Sequence, residues 1–350
     1  RPEFALEQCT ALNCTATLWH NDGFNADGGG RSGGSSSISF VNCHARGAPN
    51  ERDGGLPGSR DSGWEIEDGV QDVWLVNCSV EHAGGDGFTV RNHGGYEHEV
   101  TENINFVNCR VTNVTADAWD IYSRTETNIT RRIRLLNCYA DCPVKLFSGV
   151  EQVTVSGDFP GGLFLGRPDK PTPLRDVEIY NVCTSYLVLL AQEVFAANVV
   201  VEADGDRGVE LVAGCSDVEM AFCTVTGASE TGIVCANVAA LIANCVVWGN
   251  GTSLAAEGEH QPTMSHCCIE AGLPDGCGDG GGNINEDPRF RDAENGDLRL
   301  GQGSPCIGAG LPLAGLNHRL RLMAARDLAA RPRPAPPESL PDLGAWESAM

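Results

Sequence analysis

The stretch DVWLVNCSVEHAGGDGFTVRN, residues 72–92, is the clearest copy of a unit that recurs along the chain. An alternating apolar run ends in Asn77-Cys78, a glycine-rich turn follows, and a second alternating run begins at Gly87. The unit returns at residues 104–123 as INFVNCRVTNVTADAWDIYS. Each copy predicts two short strands and a turn, which are too small to bury their apolar side chains alone. Stacked copies bury a continuous core, and the repeat therefore predicts an all-β solenoid.

Cysteines mark the same slot of successive copies. They recur at intervals of about 30 residues in the first half and about 22 later, which lies in the range of known solenoid repeats. The series is Cys14, Cys43, Cys78, Cys109, Cys138, Cys223, Cys245 and Cys267. We predict a single right-handed parallel β-helix of about eleven coils over residues 1–270, because parallel crossovers are almost always right-handed. Residues 271–350 are predicted to form an irregular C-terminal cap.

The composition limits the classes of partner. A formal net charge of −23 argues against nucleic acid and anionic membranes, both of which require basic surfaces. No apolar stretch is long enough to span a membrane, and no signal peptide is visible before the first coil. We expect a monomeric protein outside the cell or on a bacterial surface, represented here by a mature or trimmed fragment.

Sixteen cysteines would ordinarily indicate a disulfide framework. Because many of them share one slot of the coil, we instead predict an internal ladder of buried thiols that pack as small hydrophobic groups. Neighbouring rungs lie about 4.8 Å apart, so geometry leaves disulfides open as an alternative.

Four segments interrupt the regular coils in the first half of the chain. Residues 28–37, 48–61, 93–102 and 124–130 interrupt the early copies with Gly, Ser, Asn, His and charged residues, and are predicted to be surface loops. Because binding residues tend to lie on loops held by a rigid scaffold, the loops direct attention to the first half of the chain.

The last 80 or so residues carry a series of short motifs that follow the repeat region. They are Gly282-Asn283-Ile284, Asp287-Pro288, Gly296-Asp297-Leu298-Arg299-Leu300, Ser304-Pro305-Cys306-Ile307, Arg331-Pro332 and Asp342-Leu343-Gly344-Ala345-Trp346-Glu347. The coil unit resembles the repeat of pectate-lyase-like proteins, and the tail resembles the end of bacterial surface proteins described as "choice-of-anchor". Gly308 stands where those proteins often carry Asp. The resemblance implies the β-helix fold, but such helices include lyases, hydrolases, epimerases and adhesins.

The second strands of the early coils predict where chemistry could lie. Aligned by their apolar residues, they place Phe24, Trp64, Phe88, Trp119 and Val144 in one inward column. Alternation then places two columns on the outer face. We call these two columns the polar strip: Asn25, Glu65, Thr89, Asp120 and Lys145, followed by Asp27, Glu67, Arg91, Tyr122 and Phe147.

The polar strip can be interpreted as a solvated strand face or as a groove for a sugar chain. The groove hypothesis assigns substrate contacts to Trp64, Glu67, His93, Tyr96 and Arg124. It places the groove between the loops of residues 93–102 and 124–130. Replacing Arg91 and Lys145 with Ala is then expected to preserve folding and abolish turnover or glycan binding.

A column of acids precedes the second strands: Asp22, Asp61, Asp86 and Asp117. Asp before Gly at a turn often caps its own backbone. Alternatively, Asp61, Asp86 and Asp117 form a Ca²⁺ site, which oxygen ligands suit.

Two classes of function remain open. The first is a secreted polysaccharide lyase that cleaves an acidic polysaccharide by β-elimination, with Lys145 or Arg91 as base, Tyr122 as acid, and Asp86, Asp117 and Asp120 near a cation. A hydrolase variant uses Glu65 and Asp120, which lie two rungs apart, in the range of inverting carboxylate pairs. The second class is a non-catalytic surface or adhesive β-helix that binds glycan.

Overall fold

The computed structural model describes residues 8–17, 19, 22–28, 34–47, 61–92, 98–125, 127–167 and 173–348. The chain is all-β and is built from long parallel sheets of many strands, as in a parallel β-helix solenoid. It divides into two compact units, Arg1–Asp176 and Val177–Met350. In the described part of the chain, no helix has the length and apolar character needed to cross a membrane.

The first unit alternates longer strands with short ones. In chain order they are β1 (Thr10–Leu12), β2 (Thr15–Thr17), β3 (Phe24–Asp27), β4 (Ser36–Val41), β5 (His44–Arg46), β6 (Trp64–Glu67), β7 (Gln71–Val76), β8 (Ser79–Glu81), β9 (Phe88–Asn92), β10 (Val100–Val107), β11 (Arg110–Thr112), β12 (Trp119–Ser123), β13 (Ile129–Ala140), β14 (Val144–Leu146), β15 (Val150–Phe159) and β16 (Leu163–Leu165).

Each coil of the first unit contributes to two sheets. Strands β3, β6, β9, β12, β14 and β16 form the second sheet, and the other strands of this unit belong to the first sheet. Three of the predicted loops end earlier than expected, because β4 begins at Ser36, β10 at Val100 and β13 at Ile129.

The Asn-Cys pair is explained by the turn between the two parts of the first sheet. Asn77 has φ 53°, in the left-handed region that Asn tolerates better than most residues. Its side chain accepts a hydrogen bond from Asn108 Nδ2 at 3.2 Å, and its own Nδ2 donates to Asn42 Oδ1 at 3.2 Å. The following cysteine points inward and is buried at Cys43, Cys78, Cys109 and Cys138. All sixteen cysteines are free thiols in the structure.

The core of the first unit contains a continuous aromatic stack. Trp64 lies between Phe24, at 4.3 Å between ring centroids, and Phe88, at 5.1 Å. Phe88 in turn stacks on Trp119 at 5.1 Å. Because each such pair contributes about 0.5–1.5 kcal/mol beyond area burial, the stack also fixes the register of the second-sheet strands.

The second unit repeats this plan with shorter coils. Its strands are β17 (Leu174–Thr184), which begins just before the boundary, β18 (Leu187–Leu189), β19 (Ala191–Glu202), β20 (Arg207–Leu211), β21 (Ser216–Ala221), β22 (Thr224–Thr226), β23 (Thr231–Ala236), β24 (Ala240–Ala243), β25 (Val246–Val247), β26 (Thr252–Glu257), β27 (Thr263–Ser265), β28 (Cys268–Ile269), β29 (Gly278–Asp279), β30 (Phe290–Asp292) and β31 (Asp297–Leu300). Of these, β18, β20, β23 and β26 belong to the second sheet. Strands β30 and β31 pair antiparallel, and the single α-helix of the described residues is α1 (His318–Met323).

The tail of the second unit packs on the outer side of its coils. Leu320 of α1 contacts a cluster that includes Ala197 and Ala221, and Leu343 contacts one that includes Val246. The buried Arg333 lies 3.8 Å above the ring of Phe222. Burial lowers the pKa of Arg333 to about 10, although nearby carboxylates oppose that shift. The segment predicted to be a cap therefore lies along the side of several coils as well as continuing the last one through β29.

Candidate active site

The polar strip predicted from alternation is formed on the outer face of the second sheet in the first unit. Trp64 pairs with Phe88, and Phe88 with Trp119, so Glu65 and Asp120 flank Thr89 in one column. Lys145 follows Asp120 in register. The second column places Glu67, Arg91 and Tyr122 side by side. Both predicted columns are confirmed at these positions.

The acidic side of the strip is buried although it faces outward. Glu65 is 5% exposed and Glu67 is 7% exposed. Asn25 Nδ2 lies 3.0 Å from Glu67 Oε1 and 3.5 Å from Glu65 Oε2. The guanidinium of Arg91 forms an ion pair with Glu65 Oε1. These contacts hold Glu65 in one place.

The environment of Glu65 favours its neutral form. Burial raises the pKa of this carboxyl from its ordinary value of 4.5 to about 8, and the charges of Glu67 and Asp22 act in the same direction. Arg91 opposes the shift. A side-chain hydrogen bond between Glu65 and Asp22 also raises the pKa of Glu65, because two carboxyl groups form such a bond only when one of them holds a proton. At neutral pH Glu65 is therefore mostly protonated.

Asp120 is shifted in the same direction by different neighbours. Burial raises its pKa from 3.8 to about 7, and repulsion from Asp86 and Asp117 adds to the effect. Lys145 and Arg91 lower the pKa and so limit the rise. Near neutral pH this carboxyl exists in both protonation states, which is the condition that general acid or base catalysis favours.

The two basic residues of the strip are already engaged. Lys145 Nζ lies 2.6 Å from Asp117 Oδ1. Arg91 is paired with Glu65 and hydrogen-bonded to Tyr122. Its pKa is raised because the attraction of Glu65 and Tyr122 outweighs the opposing effect of burial. Neither cation is available to neutralise a substrate without leaving its partner.

The column predicted to bind Ca²⁺ differs from expectation at one position. Main-chain hydrogen bonds align Gly23, Gly63 and Gly87. The residue before each of these glycines belongs to the column, and before Gly63 that residue is Ser62. Asp61 is therefore out of register, and it is exposed. The prediction for Asp61 shifted the column by one residue, because the alignment followed the acid instead of the glycine.

The remaining acids of that column have other partners. Asp86 Oδ1 accepts a hydrogen bond from the Asp117 backbone N–H at 2.9 Å, and Asp117 pairs with Lys145. Burial raises the pKa of Asp86, and the hydrogen bond from Asp117 opposes that rise. Within the described ranges no three His, Cys, Asp or Glu side chains are grouped to hold a metal ion. Asp61 lies out of register with the other two acids, and a Ca²⁺ site in this column stays a prediction.

The predicted substrate contacts have different outcomes. Trp64 is fully buried in the aromatic stack, so it cannot contact a ligand on the outer face, and its assignment to substrate binding was wrong. Arg124 is exposed directly after β12, at the edge of the strip. His93 and Tyr96 lie outside the described residues.

Two residues of this site had no assigned role in the sequence analysis. Asp22 is hydrogen-bonded to the Glu65 carboxyl, and Ser62 Oγ lies 2.8 Å from Thr89 Oγ1. Counting back two positions from the inward aromatics Phe24 and Trp64 would have identified both, because register is uniform along the column.

Comparison with known proteins adds no family assignment. No model of a protein family matches the chain, and no curated protein is significantly similar to it.

Proposed function

We propose that the polar strip is the active site of a carbohydrate-active hydrolase in which Glu65 is the proton donor and Asp120 the general base. One observation carries this proposal. Two carboxyl groups in one column have their pKa raised to about 8 and about 7, so that one is mostly protonated and the other partly ionised at neutral pH. Groups whose environments separate their protonation in this way take acid and base roles.

The spacing supports an inverting reaction. Glu65 and Asp120 are two rungs apart with Thr89 between them, which corresponds to about 9.6 Å between backbones at the usual strand spacing. Inverting enzymes hold their carboxyl groups about 6.5–9.5 Å apart, because a water molecule must attack between them, and the backbone separation lies just above the upper end of that range. Glu65 would protonate the leaving oxygen while Asp120 removes a proton from that water.

The charges of the strip favour a neutral glycan. Glu67, Asp86, Asp117 and Asp120 line the site, whereas of its two cations Lys145 is paired with Asp117 and Arg91 is held against the Glu65 carboxyl. A uronic-acid polymer would have to separate one of those pairs or approach uncompensated carboxylates. Hydroxyl groups of a neutral sugar can bond to the same carboxylates without that electrostatic cost.

A second candidate is the polysaccharide lyase that the resemblance to pectate-lyase-like proteins implies. The strand register is the observation in its favour, since it places the candidate acid Tyr122 beside the candidate base Arg91 on the outer face. In this reaction Arg91 or Lys145 would remove a proton from an acidic polysaccharide and Tyr122 would protonate the leaving oxygen. Ca²⁺ dependence would be expected for this candidate. For either reaction we propose an extracellular or cell-surface location.

A panel of neutral glucans, xylans and mannans beside pectin and alginate, each with and without Ca²⁺, separates these candidates. A hydrolase releases new reducing ends, and proton NMR of the first product shows inversion at the anomeric carbon. A lyase instead produces unsaturated sugars that absorb in the ultraviolet. Binding without any product supports the adhesin alternative and contradicts the proposed enzyme.

A further inference from the structure

The cysteines of the chain fall into two groups. Those of the ladder each donate their thiol to the backbone carbonyl two residues earlier, as Cys78 does to Val76 at 3.6 Å. The same contact is made by Cys43, Cys109, Cys138, Cys223, Cys245 and Cys267. Several also reach a carbonyl of the preceding coil, such as Cys109 to Leu75 at 3.3 Å. These thiols have a structural role in the coils that carry them.

Neighbouring ladder thiols are poorly placed to form disulfides. On parallel strands in register the Cβ atoms point the same way, so they remain about 4.8 Å apart, the strand spacing. A disulfide requires a Cβ separation of about 3.5–4.5 Å. Bridging two ladder cysteines would therefore pull adjacent coils out of their hydrogen-bonded register.

Cys268 and Cys306 differ from the ladder in how their separation is set and in the carbonyl that the Cys268 thiol contacts. Cys268 lies in β28, whereas Cys306 belongs to the tail, so no strand pairing fixes their separation. Both are fully buried in one apolar cluster with Val246, Leu300 and Leu343. Cys268 donates to Glu286 O at 3.2 Å instead of to a ladder carbonyl. Contact with the Cys306 thiol raises the pKa of Cys268, as contact with Cys109 does for the ladder residue Cys78, so the pair differs from the ladder in having no strand register that holds the two residues apart.

We propose that Cys268 and Cys306 are a modification site that forms a disulfide in an oxidising compartment and so fastens the tail to the last coils. In the reaction both thiols lose a proton, and a small-molecule disulfide such as oxidised glutathione is reduced to two thiols as the Sγ–Sγ bond forms. Because the pair is fully buried, the exchange takes place while the chain folds. The ladder thiols stay reduced.

The bond would act on the part of the tail that bridges the two cysteines. Residues 269–305 contain β29, β30 and β31 and connect the coils to the rest of the tail. With the disulfide formed, a cut anywhere in this segment would leave the tail covalently attached to the coils. The site is independent of the polar strip, so the proposal stands or falls separately from the proposed function.

Peptide mapping of the full chain tests the proposal. The protein is refolded in a mixture of reduced and oxidised glutathione, alkylated, and digested without reduction. We expect a linked pair of peptides that contains Cys268 and Cys306, with the ladder cysteines alkylated. After proteolysis within residues 269–305, the two fragments should migrate together on a gel and separate when reduced.

The variant Cys306→Ser and its control Cys267→Ser make the test specific. C306S should abolish the linked peptide and release the tail fragment after proteolysis, whereas C267S, which removes the neighbouring ladder thiol, should retain both. Full alkylation of Cys268 and Cys306 in correctly refolded wild-type protein would overturn the proposal. So would a bond from either residue to a ladder cysteine. Neither result depends on whether the variants fold.

Discussion

The outer face of the second sheet differs between the two units of the chain. In the first unit the column reads Asn25, Glu65, Thr89, Asp120 and Lys145. In the second unit the corresponding column reads Val188, Glu210, Val234 and Ala255. Both columns are carried by regular parallel strands with apolar inward neighbours. The fold therefore does not require acids on this face.

The acids of the first unit are also costly to keep ionised. Val188 and Val234 are buried at small cost. In contrast, burial and the nearby charges of Glu67 and Asp22 raise the pKa of Glu65 from 4.5 to about 8. Shifts of this size are concentrated at functional sites, because a structural role seldom requires them. The contrast between the two faces is the main reason to place chemistry on the first.

The largest expected effect concerns the two carboxyl groups themselves. Glu65→Gln and Asp120→Asn each remove one proton-transfer group and should lower kcat on the hydrolysed glycan by about 10²–10⁴-fold. Glu257→Gln, which changes an exposed acid on the second sheet of the second unit, is the matched control and should keep wild-type activity. Equal activity of all three variants would remove the functional contrast between the faces.

The pH dependence of kcat/KM should show the two groups as separate limbs. Activity requires Asp120 ionised, so it falls about tenfold per unit below pH of about 7. It also requires Glu65 protonated, so it falls in the same way above pH of about 8. A profile that is flat between pH 5 and 9 would contradict the acid and base assignment.

Lys145 offers a smaller and more selective change. Lysine at this position lowers the pKa of Asp120, so Lys145→Met should raise it and shift the acidic limb to higher pH. Activity at pH 7 should fall by a factor of about ten or less, while activity at pH 8 changes less. In the lyase alternative with Lys145 as base, the same variant loses activity at every pH, and this outcome distinguishes the two reactions.

The sequence predicted which residues of this site share a column of the outer face, but not their contacts or protonation. Alternation and the Asn-Cys marker placed Glu65, Asp120 and Arg91 in the correct columns, because a strand has a fixed side-chain period and the aromatic stack fixes register. The same reasoning already placed Trp64 in the inward column, and assigning it to substrate as well was inconsistent with that placement.

Two features could not be derived from the order of residues. The pairing of Lys145 with Asp117 and of Arg91 with Glu65 depends on side-chain conformations that the repeat does not encode. Those contacts change the inference about substrate charge, since Lys145 is already neutralised by Asp117 and Arg91 is held against Glu65. The prediction that Asp61 belongs to the acid column was wrong for a simpler reason, because Ser62, and not Asp61, directly precedes Gly63.

The smallest expected effect is on stability. Because the pKa of Glu65 is raised in the folded state, the folded protein binds this proton more tightly than the unfolded chain does. The contribution of Glu65 to stability is therefore fully present below about pH 4.5 and is lost as the pH rises from there through about 8. Glu65→Gln should remove this decrease. Between pH 5 and pH 9, the free energy of unfolding of wild type should therefore fall by at least about 1 kcal/mol more than that of the variant. Urea unfolding at both pH values measures the difference, and Glu257→Gln should show none.

The most direct test of the central claim is a carboxyl ¹³C NMR titration of the folded protein, with resonances assigned from Glu65→Gln and Asp120→Asn. The acid and base pair predicts that Glu65 titrates near pH 8 and Asp120 near pH 7. If both carboxyl groups titrate close to their ordinary values of 4.5 and 3.8, the outer face of the first unit is an ordinary solvated surface and the proposed active site is wrong.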